Sequence, residues 1–279
     1  MVVKKERVIV KKSIMLSMAL ATVLVVGTST VSKAASDVVL NYEDIDLSIN
    51  ISDKYNYIYD AENIYGDDIS EYGINPDTIV KSIKSTPGAY FEALYVDEDN
   101  YFRESYMNYL EGEDEVGHLK DYSKEDIAEF GEKLSKEMEN MVGKDGIKSF
   151  DYKDVFYTEG GLPYFQFILT GTNADGDFTS GCVCTIANNN YYYFYTRSYA
   201  PSIDGDSLLE DSRDLVQGVE ILFDEKIKSN ANLSGGIDWK KVGSKSAYGA
   251  VVGAVVGGVG VRFGRKIKKN KVKNTVEKA

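Results

Sequence analysis

Few residues in this chain of 279 have the types and spacing that chemistry requires. The single histidine, His118, stands in the acidic stretch from Glu111 to Asp121. A Ser/His/Asp or Cys/His pair would have to use it, and nothing places it beside a nucleophile. It reads as an exposed loop residue. Cys182 and Cys184 fall two apart on a predicted strand, so they share a face and are badly placed to bridge each other. One histidine and two close cysteines fall short of an ordinary zinc site. Asn173, Asp175 and Asp177 place oxygen ligands at alternate positions, like the opening of a calcium loop. Phe178 and Cys184 stand where that loop needs Gly and Glu, so an Asx-rich hairpin turn is the favoured reading and weak calcium binding the alternative. Tyr191, Tyr193 and Tyr195 share one strand face and would suit a carbohydrate or other binding platform, although tyrosine is also good strand material. With 44 acidic residues, carboxylate pairs fit for glycoside cleavage are not distinguishable from background. No catalytic set and no cofactor is expected.

The two ends carry a clearer signal. Residues 1–34 have Lys4, Lys5, Arg7, Lys11 and Lys12, then an apolar run from Ser13 to Val26, then small residues. This is the pattern of a secretory signal peptide, with Ser32 and Ala34 suited to the cleavage site. At the other end, Val242 to Val261 is apolar apart from Lys245 and is followed by R-F-G-R-K-I-K-K-N-K-V-K. The expected reading is a transmembrane helix over 242–262 with a basic cytoplasmic tail over 263–279. Trp239 and Tyr248 would mark the outer interface. Gly249, Gly253 and Gly257 recur every four residues, which suits close helix packing in a bilayer and self-association there.

Between the ends the charge is extreme. The 205 residues from Ala35 to Trp239 hold 42 acidic and 15 basic side chains, a net of about −27. Such a field excludes nucleic acid as a partner and favours solubility, cationic partners or loosely held divalent ions.

Turn residues and periodicity then place the elements of an extracytoplasmic domain over 35–228. Val38 to Ile51 is strand-like, and Tyr55 to Tyr59 continues it. Asn75-Pro76-Asp77 opens a helix that Pro87-Gly88 stops. Ala89–Val96 and Tyr101–Met107 form a hairpin. Ser123 and Asp126 open a helix whose apolar face includes Ile127, Phe130, Leu134, Met138 and Met141. Four strands follow over 150–158, 162–170, 178–187 and 191–199, joined by short turns, which predicts an antiparallel meander. Ser207 and Glu210 open a last helix running past Leu222, and residues 229–241 link the domain to the membrane. The fold class is α+β, an antiparallel sheet with helices packed on it.

The run C-T-I-A-N-N-N-Y-Y-Y-F-Y-T-R-S-Y-A, Cys184 to Ala200, followed by a segment ending V-E-I-L-F-D, resembles the strand pair and closing helix of secreted Gram-positive proteins of the Mog1/PsbP-like family. Asn190 stands where that turn usually has glycine. The resemblance implies an α/β/α sandwich over about Val38 to Asp224 and a non-enzymatic accessory or binding role. The expectation is a single-pass surface protein of the cell envelope that binds an envelope protein or peptide. An envelope hydrolase using paired carboxylates, or a weak calcium- or carbohydrate-binding surface domain, is the alternative.

Overall fold

A computed structural model describes residues 38–112, 116–227, 229 and 239–256. The expected leader over 1–34 and the basic tail over 263–279 lie outside them. The main sheet has eight antiparallel strands: β3 (Tyr57–Asp60), β4 (Ile64–Gly66), β5 (Ala89–Val96), β6 (Phe102–Leu110), β7 (Ile147–Tyr157), β8 (Pro163–Asn173), β9 (Gly176–Ala187) and β10 (Asn190–Ser198). Their spatial order is β4-β3-β5-β6-β10-β9-β8-β7. The expected meander is therefore present. Asn188 and Asn189 turn its last corner with φ of 51° and 64°, the left-handed pair that a two-residue hairpin turn demands. Asn190 already belongs to β10, so the glycine usual at that position is not required.

Side chains alternate across this sheet into two cores. One face carries Tyr191, Tyr193, Tyr195, Cys182, Cys184, Phe165 and Phe167, and the other Tyr192, Phe194, Val183 and Tyr164. The first face is covered by α1 (Pro76–Ser85), α2 (Lys124–Glu139) and α4 (Trp239–Val256). The caps of α1 and α2 are those read from the sequence. Asn75 accepts from the Asp77 N–H at 3.0 Å, and Ser123 from the Asp126 N–H at 3.1 Å.

The second face differs from expectation. Val38–Ile51 is not one strand but a hairpin, β1 (Val38–Tyr42) and β2 (Leu47–Ile51), bent at Asp46 with φ of 54°. It joins β11 (Val219–Ile221) in a separate three-stranded sheet of order β1-β2-β11. That small sheet lies beside α3 (Gly205–Gln217). The cap of α3 is Asp204, whose side chain accepts from the Asp206 N–H at 3.1 Å; Ser207 is already inside the helix. Gly218 ends α3, so the valine and isoleucine that follow pair as strand instead of extending the helix. Leu222, expected on the helix face, is 75% exposed.

The C-terminal segment departs furthest from expectation. Among the described residues no helix is long and apolar enough to cross a membrane. Residues 242–256 of the expected span belong to α4, which lies against the main sheet and α2, and α4 already includes residues 239–241 of the expected linker. Residues 257–262, Gly257 among them, lie outside the described residues.

Candidate functional site

The small residues of α4 meet the tyrosines of β10. A Cβ built on Gly249 would stand 2.5 Å from the Tyr193 hydroxyl oxygen. Gly253 meets the ring of Tyr195 in the same way. No larger residue fits between helix and sheet at these points, which is the physical use of the four-residue glycine spacing here. Tyr191, Tyr193 and Tyr195 form a parallel row, with ring centres 6.4 Å apart in each successive pair. Tyr106 of β6 stacks on Tyr195 at 4.9 Å.

Four side chains on this face of the sheet donate to backbone carbonyls of α4. Tyr193 reaches Ser246 O at 3.1 Å, Tyr195 reaches Ala250 O at 3.0 Å, and Tyr106 reaches Gly253 O at 3.2 Å. Arg197 Nη1 reaches Ala254 O at 3.1 Å. A carbonyl has two lone pairs, so a helical C=O can take a second donor without losing its own helix bond. Burial pushes the phenols of Tyr106, Tyr193 and Tyr195 well above their ordinary value, so all three keep the proton that they donate.

Arg197 is anchored beneath the helix by Glu104 on the neighbouring strand. Its Nε and Nη2 donate to Glu104 Oε2 at 2.9 and 2.7 Å. The rings of Tyr106 and Tyr199 lie 5.0 and 5.3 Å from the guanidinium carbon. Burial opposes the charge of Arg197, and Glu104 together with the rings of Tyr106 and Tyr199 more than offsets it, holding the group protonated. Burial raises the Glu104 carboxyl while Arg197 pulls it down. A second carboxyl, Glu92 of β5, also pulls the Glu104 value down. Glu92, Glu104 and Arg197 are each 1% exposed, so this carboxylate pair has no open cleft before it.

The residues singled out from the sequence fall as follows. Tyr191, Tyr193 and Tyr195 do share a face, but they are buried, because α4 covers them; they are not an exposed platform. Gly249 and Gly253 face those tyrosines. Tyr248 is on the outer side of α4 and 57% exposed, and the side chain of Trp239 lies outside the described residues. Asn173 Oδ1 accepts from the Asp175 N–H at 3.0 Å and its amide donates to the Tyr199 hydroxyl at 2.8 Å. Lys148 sits 2.6 Å from the Asp177 carboxylate and lowers its pKa. This is the hairpin-turn arrangement, and no group of three His, Cys, Asp or Glu among the described residues is placed to hold a metal ion. His118 is a clear miss, being only 3% exposed. Its Nδ1 accepts from the Asn188 N–H at 3.1 Å, which leaves Nε2 to donate to Ile227 O at 3.1 Å. Cys182 and Cys184 are free and buried, and burial pushes both thiols up.

Glu104, Glu92 and Arg197 were not found from the sequence. The signal available was an arginine two residues beyond the alternating tyrosines, hence on their face. No family model matches the chain, and no curated protein matches it by sequence. In structure it is similar to the cyanobacterial PsbP protein CyanoP from Synechocystis sp. PCC 6803, at 9% identity, over 71% of this chain and 99% of that one, with a TM-score of 0.35.

Proposed function

We propose that this chain is an accessory protein of a bacterial cell envelope that acts by holding polypeptide, exported by its leader and kept at the membrane through its C-terminal region. The observation that supports the binding role is the grip on α4, in which three phenols and a guanidinium reach helix carbonyls past Gly249 and Gly253. Recognition of this kind asks for small residues at the contact, not for particular side chains. It therefore suits a class of glycine-ridged helices, of which the chain's own tail is one. The element order also supports placing the domain among PsbP-like sandwiches.

The leader and the basic run after residue 262 support export and a single C-terminal span. That span would use residues 242–256, the same residues that α4 lays on the sheet. The anchored and docked arrangements therefore exclude one another. In the anchored one, the tyrosine row is free for the small-residue helix of an envelope partner or of a second copy. The hydrolase alternative would fall to Glu92 and Glu104, and their burial and the bond from Arg197 weigh against it.

Protease shaving of intact cells with mass spectrometry of the products tests the reading. The expected products are an outer domain with a new N-terminus near Ala35 and a protected basic fragment. A full-length protein that is released by lysis without detergent would overturn the anchoring, and failure to crosslink to any polypeptide in intact cells would overturn the binding role.

A further inference from the structure

The small sheet ends on β1 at one side and on β11 at the other. Among the described residues β11 pairs with β2 alone and has no neighbour on its other side. The Leu222 N–H donates to Asp46 O at 2.8 Å, and the Asn50 N–H donates to Gly218 O at 2.9 Å. The register sets Glu220 opposite Ser48. Antiparallel alternation then turns the backbone groups of residues 218, 220 and 222 toward β2. Those of Val219 and Ile221 point the other way, along the open edge.

That edge borders a groove of about 960 Å³, whose far wall is the β7–β8 turn from Thr158 to Leu162. Leu47, Val216 and Ile221 give the groove an apolar floor, and four carboxylates, Glu43, Asp46, Glu159 and Glu220, stand exposed around it. Among the described residues no lysine or arginine lines it. Another open edge, β7, carries Lys148 and Lys153 and two breaks in register, features that discourage strand pairing. β11 has neither.

We infer that the β11 edge takes an extended, cationic segment of a partner polypeptide as a fourth strand of the small sheet. An added strand meets the N–H and C=O of Val219 and Ile221, and its side chains alternate. One set packs on the apolar floor and the other reaches the acidic rim, so the matching pattern is apolar and basic residues in alternation. The inference does not depend on α4, which lies on the opposite face of the main sheet, nor on membrane anchoring.

The test uses the full-length protein and a fluorescent peptide of four Lys-Val repeats. Binding is read by anisotropy and by amide hydrogen exchange. Saturable binding with slowed exchange at Val219 and Ile221 is expected. A Glu-Val peptide should not bind, and N-methylation of alternate peptide amides should abolish binding. Reversing the rim charges in E159K/E220K, both at exposed positions, should weaken binding by about tenfold or more. Binding that survives N-methylation, or protection that appears elsewhere, would reduce the effect to general electrostatic attraction and overturn the inference. Protection of Val219 and Ile221 before any peptide is added would also overturn it. Loss of that protection on dilution would assign the edge to a second copy, and loss on deleting residues 263–279 would assign it to the chain's own basic tail.

Discussion

Arg197 and Glu104 face each other on adjacent strands, 2.7 Å apart and each 1% exposed, and the same guanidinium reaches up to Ala254 O in α4. The pair therefore joins the middle of the sheet to the helix that covers it. Removing one member of such a pair strands the other without solvent. R197M should cost about 3–5 kcal/mol, while E104M/R197M should recover much of that loss. Denaturant unfolding followed by circular dichroism measures both, and equal losses in the single and double variants would contradict the reading.

Gly249 and Gly253 set how closely α4 approaches. G253L forces a side chain into the ring of Tyr195 and should destabilise the docked helix by about 1–3 kcal/mol or more. Exchange at residues 242–256 should quicken far more than exchange in β8 and β9. Y248S, on the exposed side of the same helix, should change stability by less than about 0.5 kcal/mol.

Each phenol that donates to α4 contributes one hydrogen bond with little change in shape when lost. Y193F and Y195F should each cost about 1 kcal/mol. Changes near zero in both would mean that ring packing alone holds the helix.

The tyrosine row also makes stability depend on alkaline pH. An unfolded tyrosine ionises near 10.0, whereas burial lifts the folded values of Tyr106, Tyr193 and Tyr195 well above 10.0. A raised folded value contributes stability that is fully present below pH 10 and is lost as pH climbs above it. Tyr199, pushed to about 12 mainly by burial, belongs to the same set. Tyrosinate absorbance should thus show an early phase from exposed rings and a late one coincident with loss of helix signal. A single phase centred near pH 10, with structure intact, would refute this.

His118 ties its loop to two distant segments, through Asn188 and Ile227. H118A leaves a buried N–H and a carbonyl without partners and should cost about 1–3 kcal/mol. An exposed loop histidine would cost almost nothing.

What was legible in the sequence was what local chemistry decides. Asn75, Ser123 and the Asn188-Asn189 turn each state their conformation through a side-chain cap or a left-handed backbone, and the meander follows from the turns. Long-range competition was not legible. Val219 to Ile221 carry helix-compatible apolar spacing, yet Gly218 breaks the helix and β2 offers a free edge. The glycines of α4 fit a neighbouring helix in lipid and a row of tyrosine rings equally well, because both reward small residues at a four-residue spacing. His118 was misjudged because the acidic sequence around it says nothing of Phe223, Ile227 and Ser229, which close on it.

The chain's two thiols sit on the strand next to the tyrosine row, Cys182 opposite Tyr195 and Cys184 opposite Tyr193. Both are sealed from solvent. Any reagent that modifies them must wait for the covering layer to lift. Labelling speed under native conditions is thus a clock that counts departures of the helix, readable by mass in the untouched protein.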